Sequence, residues 1–271
     1  MASRRRKLSI DGVGSVEVLK HDLLFFMGGF MERYNRNYGD LISPEEQNIL
    51  LSKKCAVLGA GGNGGYTIEF LARLGVKEIY IWDGDCFEVS NLNRQIYCTE
   101  ETLGSNKATV AMLKAKEVNS NIKIQAFPRY VGEKYNEDFN LLLNVDIIFD
   151  CCDYMQYPKM VSNMLIEILK QNPSIGITYS ANTDIGGFNS IHTQKTLNMY
   201  IDLQRENLNS WDKTNNKIFG QPAYMCAITA ANDVAAAVKF LCQQKYDLTG
   251  EIYNFDLYHF KSFKEDKYGI I

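Results

Sequence analysis

Lys54 to Gln95 reads KCAVLGAGGNGGYTIEFLARLGVKEIYIWDGDCFEVSNLNRQ, and the fold turns on this stretch. Cys55-Ala56-Val57-Leu58 is a short continuous apolar run, the pattern of a strand buried on both faces of a parallel sheet. A glycine-rich turn follows, Gly59-Ala60-Gly61-Gly62-Asn63-Gly64-Gly65, and helical spacing then runs from Tyr66 to Leu74. A second apolar run, Ile79-Tyr80-Ile81-Trp82, ends at Asp83. The unit is strand, tight turn, helix, strand. Glycines let such a turn tighten and let backbone N–H groups approach a phosphate, which the positive end of the helix dipole also attracts. Asp83 follows Gly64 by about 20 residues, where the acidic end of a second strand accepts hydrogen bonds from ribose hydroxyls. The stretch reads as a nucleotide site.

Working outward, Ser43-Pro44-Glu45-Glu46-Gln47 is a helix start: an N-cap serine, proline at the first helical position and an acidic first turn. That helix, over about 44–52, leads into the first strand. Downstream, the patterns predict a helix from Ser105 to Val118, a strand from Ile122 to Phe127 and a short helix over 136–143. A buried strand follows from Val145 to Asp150, ending in Cys151-Cys152-Asp153, then a helix from Pro158 to Lys170 and a strand from Ile175 to Tyr179. Such alternation predicts an α/β, Rossmann-like, doubly wound and mainly parallel sheet with helices on both faces. Ligands then sit beyond the carboxyl ends of the strands, where Asp83 and Asp153 both fall. Past residue 180 the pattern changes. Asn182 to Ile201 is strand-like and broken by glycines, Asp202 to Phe219 is polar and predicts a surface loop, Ala227 to Gln244 predicts an alanine-rich helix, and 251–262 reads as one or two strands. Without a repeat or low-complexity linker, residues 1–271 are expected to form one domain, with 1–20 a loosely ordered basic lead and 22–52 an N-terminal helical segment.

The bulk properties narrow the function classes. The chain has 271 residues, 46% hydrophobic and 23% charged, with a net charge of −3, so nothing global draws it to nucleic acid or an anionic membrane. Its 7 cysteines (Cys55, Cys86, Cys98, Cys151, Cys152, Cys226, Cys242) contain no C-x-x-C pair, which argues for reduced thiols and against a four-cysteine zinc knuckle. The basic start lacks the roughly 7–15-residue apolar run of a signal peptide. No run approaches the about 18 consecutive apolar residues of a membrane span. The expectation is a cytoplasmic protein with no DNA or membrane partner. His21, His192 and His259 are scattered, and Arg4-Arg5-Arg6-Lys7 reads as a solvated tail.

The charged residues beyond Asp83 decide which nucleotide. Asn91-Leu92-Asn93-Arg94-Gln95 and Lys107 bring an arginine fork and a lysine point charge toward a pocket whose glycine turn would satisfy most of a dinucleotide's pyrophosphate. A triphosphate supplies the extra charge. At this point the chain resembles the E1-like superfamily of adenylating enzymes, which includes the MoeB and ThiF sulfur-carrier activators and ubiquitin-activating enzymes. The resemblance covers about Glu32 to Tyr179 and returns weakly over Met225 to Leu241; it rests on G-x-G-G-x-G, Asp83, N-x-N-R-Q, Lys107 and D-x-x-D. It implies an E1-like variant of the fold with antiparallel C-terminal strands. Gly59, Gly61, Gly62 and Gly64 would cradle phosphates and Asp83 hold the ribose. Asn91, Asn93 and Gln95 would line the nucleotide site, with Arg94 and Lys107 binding the phosphate chain. Asp153 would be the Mg²⁺-associated carboxylate; Asp150 has the plainer reading of a structural residue capping the turn. Glu32-Arg33-Tyr34-Asn35-Arg36 is similar to the family's R-Y-N-R segment, whose last arginine reaches the partner subunit's ATP site. That similarity implies a homodimer with Arg36 acting in trans.

The implied reaction is attack of a carboxylate on the α-phosphorus of ATP, giving an acyl-adenylate and pyrophosphate. The implied acceptor is the C-terminus of a small ubiquitin-like or sulfur-carrier protein, or of a peptide. Two departures bear on the adenylate's fate. The paired C-x-x-C zinc ligands of MoeB-type enzymes are missing, so no zinc is expected, and no proline–cysteine–threonine context surrounds a transthiolating cysteine. Cys226, at a helix entry where thiol pKa values fall, is the thiol candidate, against the competing reading of a packed small hydrophobe. The main alternative is an E1-like dehydratase that cyclises threonylcarbamoyladenosine in tRNA after the same activation; mild acidity and a dissimilar C-terminal half weigh against it. A non-catalytic E1-like subunit and an NAD dehydrogenase are the remaining rivals. The filled ATP positions oppose the first, and the surplus of Arg36, Arg94 and Lys107 opposes the second.

Overall fold

The structure is a computed structural model that describes residues 32–152, 158–213, 220–242, 249–257, 259 and 261–265. The chain divides into two compact units, Met1–Gln47 and Asn48–Ile271. In the first, a turn over 33–37 precedes α1 (Pro44–Leu50), whose residues up to Gln47 belong to this unit, and Asn37 Nδ2 donates to Gln47 Oε1 at 2.9 Å. The predicted N-cap is present. Ser43 Oγ accepts the Glu46 N–H at 3.2 Å and the Glu46 carboxylate accepts the Ser43 N–H at 2.7 Å, a reciprocal capping box. The predicted lead over 1–20, the part of the predicted 22–52 segment before residue 32 and His21 lie outside the described residues.

The second unit is built on β1 (Lys54–Leu58), α2 (Gly62–Leu74), β2 (Glu78–Trp82), α3 (Lys107–Val118), β3 (Lys123–Phe127), α4 (Tyr135–Leu142), β4 (Ile147–Asp150) and α5 (Pro158–Gln171). It continues through β5 (Gly176–Asn182), β6 (Gly186–His192), α6 (Leu197–Lys213), α7 (Ala223–Leu241), β7 (Ile252–Asp256) and β8 (Lys261–Glu265). The strands form one eight-stranded sheet in the order β3-β2-β1-β4-β5-β6-β7-β8. Five strands are parallel: Val57 pairs with Ile81 on one side and Phe149 on the other, Ile81 with Ala126, and Phe149 with Thr178. From β5 onward the pairings β5–β6, β6–β7 and β7–β8 are antiparallel, as expected of the C-terminal strands. The chain steps outward from β1 through β2 to β3, then returns to β4 on the other side of β1. The carboxyl ends of β1 and β4 therefore flank the point where strand order reverses, the usual crevice for a ligand in such sheets.

Burial explains the strand sequences. Cys55, Ala56, Val57 and Leu58 are wholly buried, as are Ile147, Ile148 and Phe149, because helices cover both faces. Along β1 the pleat sends Ala56 and Leu58 to one face, where they join Leu142, Leu165, Ile168 and Tyr200 from α4, α5 and α6. Helices α2 and α3 pack together elsewhere, and α7 lies against α2, β5 and β6. By length and composition α7 alone among the described helices could cross a membrane. Its apolar side chains Met225, Ala230, Val238 and Leu241 are instead buried in the protein, which accounts for that composition.

One expectation is overturned. Asp202 to Phe219 is not a surface loop as far as Lys213, since it belongs to the long helix α6; 214–219 lie outside the described residues. Tyr200, Leu203 and Gln204 fall at helical spacing and are buried, with Gln204 Oε1 accepting the Ser162 hydroxyl at 3.0 Å. A polar composition concealed a narrow buried face. Strand character over 182–201 likewise stops at His192.

Candidate active site

The glycine turn is shaped by close approaches. Gly59 has φ +91°, and a Cβ there would lie 2.6 Å from the Cys151 carbonyl oxygen, because the chain leaving β1 runs against the end of β4. Its N–H donates to Trp82 O at 2.8 Å, so the turn is pinned to β2 as well. At Gly64 a Cβ would sit 1.9 Å from the Gly59 carbonyl oxygen. Helix α2 accordingly starts at Gly62, earlier than the Tyr66 that side-chain spacing suggests. Low helix propensity is overridden because only glycine lets the first turn of α2 close on Gly59. Gly61 is the N-cap and has no side-chain cap, so the orphan N–H groups of this helix start have no capping side chain from that position. That suits an anion.

Around this turn the structure gathers most of the expected side chains. Asp83 is buried at the end of β2; Oδ2 accepts the Ala60 N–H at 2.7 Å and Oδ1 the Asp85 N–H at 2.9 Å. Burial pushes its carboxyl pKa up, opposed by those two N–H groups and by Lys107. Two acceptor sites of the carboxylate remain for ligand hydroxyls. Lys107 is the first residue of α3, whose N-cap Asn106 accepts the Thr109 N–H at 3.0 Å. Its side chain is buried, and Nζ lies 3.3 Å from Asp85 Oδ2. Lys107 is thus in an ion pair, but as a buried side chain beside the Asp83–Asp85 loop rather than out on the surface.

The N-x-N-R-Q segment splits by role. Asn91 is buried, and its Oδ1 accepts the Glu88 N–H at 3.1 Å, so it shapes the loop. Asn93 is exposed, donating to Gln221 O at 3.3 Å and accepting from Arg94 Nη1 at 2.9 Å. Arg94 Nη1 also donates to Ser90 O at 2.9 Å, which folds the guanidinium back along its own loop. Gln95 is buried beside Gly61, with Nε2 3.4 Å from where a Gly61 Cβ would lie, and its Oε1 has no hydrogen-bond partner among the described residues. A ribose hydroxyl or an amino group of a ligand would satisfy that orphaned acceptor.

Cys226 also belongs here, since a Cβ on Gly62 would come within 2.7 Å of its Sγ. Burial pushes the thiol pKa up and outweighs the lowering by Arg94, by the Asn182 hydrogen bond and by the residue's own backbone N–H. Arg36 is exposed in the turn of the first unit. Asp153 lies outside the described residues; among them, no three His, Cys, Asp or Glu side chains cluster as a metal site. Asp150 is buried, and its Oδ2 accepts the Tyr200 hydroxyl at 3.4 Å.

Sequence reasoning passed over three residues at this end of the sheet. Tyr130, after β3, lays its ring on Gly84, where a Cβ would be 2.8 Å from ring carbons, and donates its hydroxyl to Asp85. Nothing in Asp-Gly-Asp at 83–85 names the ring that packs on its middle residue. Asn182 donates to Asn63 Oδ1 at 3.2 Å, and Asp233 accepts from Ser180 at 2.7 Å and Asn189 at 2.8 Å. Those pairings join residues far apart in the chain and have no local signature.

The ThiF family model matches residues 34–268. The chain belongs to the ThiF family. Among ThiF relatives, a probable molybdopterin-synthase adenylyltransferase of Porphyra purpurea is 28% identical over 240 residues, 86% of this chain and 61% of that protein. A sulfur carrier protein adenylyltransferase of Thermus thermophilus is 30% identical over 138 residues, 50% of each chain. The chain therefore spans less than two thirds of the curated relatives it matches. The crystal structure of E. coli MccB with ATP superposes with a TM-score of 0.65 at 20% identity, covering 82% of this chain and 65% of that one, which establishes the shared fold.

Proposed function

We propose that this ThiF-family protein is an ATP-dependent adenylyltransferase that activates a carboxylate as an acyl-adenylate. The observation that carries the reading is the convergence of the Gly59–Gly65 turn, buried Asp83, buried Lys107 and the orphaned Gln95 Oε1 at the carboxyl ends of β1 and β2. An NAD site has use for the turn and the aspartate, but not for a buried ammonium beside them. Membership in a family whose relatives are named as adenylyltransferases supports the same reading.

In the proposed reaction a carboxylate oxygen attacks the α-phosphorus, the bond to the bridging β-phosphate oxygen breaks, and pyrophosphate leaves. No protein nucleophile is needed. The chain's task is to hold the reactants in line and to offset negative charge spreading over the phosphate oxygens. The N-terminus of α2 and Lys107 face that charge. Arg94 would have to release Ser90 O to join them, and Arg36 would come from a second copy of the chain. ATP is expected to carry Mg²⁺, which adds positive charge at the phosphates, with Asp153 as the residue that would hold it. The acceptor we favour is the C-terminus of a small sulfur-carrier or ubiquitin-like protein or of a peptide, in line with the sulfur carrier named for the Thermus relative.

ATP–pyrophosphate exchange with candidate carboxylates tests the assignment. Lys107→Ala and Asp153→Ala should each lower exchange by ~10²–10³, the scale of one lost transition-state donor. Exchange that survives both substitutions would sink the site. Exchange supported by modified tRNA and by no protein or peptide tail would move the proposal to the dehydratase.

A further inference from the structure

We propose that Asp85 is a positioning residue for Lys107, locked in place by Tyr130; the inference rests on the nucleotide reading above and assigns how its lysine is aimed. Asp85 ties down Lys107 twice. The Asp85 carbonyl oxygen accepts the Lys107 N–H at 2.9 Å, fixing the start of α3, and Oδ2 stands 3.3 Å from Lys107 Nζ. Asn106 strengthens the first tie, its Nδ2 donating to Asp83 O at 2.9 Å and Asp85 O at 3.1 Å. The other carboxylate oxygen, Oδ1, accepts the Tyr130 hydroxyl, and the Tyr130 ring rests on Gly84, where a Cβ would clash at 2.8 Å. The Asp85 N–H donates to Asp83 Oδ1 at 2.9 Å, so the proposed ribose and phosphate ligands share one hydrogen-bonded frame.

The frame answers a physical problem. A lysine ammonium on a four-carbon stem has many rotamers, and a phosphate must order it on binding. Asp85 orders it beforehand, which is preorganisation. The ammonium has three donors, and one spent on Asp85 leaves two for phosphate oxygens. Exposure decides whether the carboxylate helps or competes. The Asp85 side chain is 47% exposed and that of Lys107 10%, so water screens the carboxylate more than the ammonium. Asp85 orients the lysine without cancelling its charge toward the nucleotide. Tyr130 keeps the carboxylate from swinging into solvent, and Gly84 gives the ring its seat.

Titration calorimetry of ATP and of adenosine with the full chain, wild type and variants, separates the possibilities. Lys107→Ala should weaken ATP binding on the order of tenfold to a hundredfold, the range for a hydrogen bond to a charged group. Asp85→Ala should weaken it about threefold to tenfold, and Tyr130→Phe less, with adenosine affinity unchanged in all three. In a Lys107→Ala background, Asp85→Ala should add nothing, since a residue acting through another shows full coupling. Asp85→Asn, which keeps the volume, stands in if Asp85→Ala does not fold. Additive losses, a loss on adenosine, or ATP held as tightly or more tightly by the Asp85 variants overturns the proposal while leaving the nucleotide reading intact. A wild-type chain that binds neither ligand overturns both.

Discussion

Two glycines of the same turn are held to glycine for different reasons, and substitution should separate them. A methyl group at Gly64 meets the Gly59 carbonyl oxygen at 1.9 Å, backbone that cannot move without opening the turn. Gly64→Ala should therefore cost at least the ~1–3 kcal/mol of an overpacked site, seen as an earlier urea midpoint. At Gly61 the nearest atom is the Gln95 side-chain nitrogen at 3.4 Å, ordinary contact. Gly61→Ala should unfold like the wild type yet bind ATP more weakly, because its methyl group narrows the ligand's approach; unchanged ATP affinity would remove Gly61 from the cradle. Asp233 makes a different demand. Burial pushes its carboxyl up to about 7, against the Asn189 and Ser180 hydrogen bonds that hold it down and with Asp150 adding to the rise. An unfolded aspartate titrates near ~3.9, so between about pH 4 and pH 7 the folded protein keeps a proton that the unfolded chain has released. Stability then falls as pH rises through that window, by at most about 1.4 kcal/mol per pH unit. Asp233→Asn lacks this slope, and its unfolding free energy should gain on the wild type between pH 4.5 and pH 7. A difference that stays constant with pH would refute a buried proton at Asp233.

At the scale of elements, the carboxyl end of β2 is set by a knot between β2, β3 and α4. Asp138, fully buried on α4, accepts Trp82 Nε1 at 2.9 Å, both Arg129 Nη groups at 2.6 Å and the Gly132 N–H at 2.7 Å. Trp82 stacks on Phe127 with centroids 4.4 Å apart, and the Arg129 guanidinium lies 5.3 Å from the Phe127 ring centre. Trp82 immediately precedes Asp83, so the knot fixes where the proposed ribose ligand points. Removing the carboxylate strands a mostly covered guanidinium, an indole N–H and a backbone N–H together. Asp138→Ala should cost about 3–5 kcal/mol in denaturant unfolding, the range for breaking a buried ion pair. Glu137 also meets Arg129, at 3.2 Å, but its side chain is 46% exposed, and Glu137→Ala should stay within about 1 kcal/mol of wild type. Equal losses from the two would show that burial is not what gives Asp138 its weight.

At the scale of the whole molecule, the open matter is whether one copy suffices. Arg36 belongs to the first compact unit and Lys107 to the second. If Arg36 serves the other copy in a homodimer, Arg36→Ala and Lys107→Ala proteins are each nearly inactive, yet a mixed dimer carries one complete site. Random reassociation should then restore roughly a quarter of wild-type exchange activity, since about half the dimers are mixed and each has one working site of two. Activity that never exceeds the sum of the separate variants would place Arg36 with its own chain's site or outside catalysis.

Much of this was legible in the chain because it is local. Apolar runs of strand length, a glycine turn between strand and helix and the Ser43–Glu46 cap are set by neighbours in sequence, and each appears where expected. So does the gathering of Gly59, Asp83, Gln95 and Lys107, since the first βαβ unit carries the turn and the aspartate and the parallel pairing of β1, β2 and β3 brings the later residues to the same sheet end. The α6 helix was hidden because a single buried stripe of Tyr200, Leu203 and Gln204 is outvoted by a polar composition when a segment is read alone. Packing against α5 is what chooses its conformation. The pairings of Asp85 with Tyr130, Asp138 with Arg129 and Asp233 with Asn189 were equally out of reach. A charge or hydroxyl in sequence does not name its partner, and only the folded sheet brings such residues within hydrogen-bond distance and excludes the water that would otherwise satisfy them. Local pattern determined the elements and the kind of site. Tertiary packing decided how each charge in that site is held.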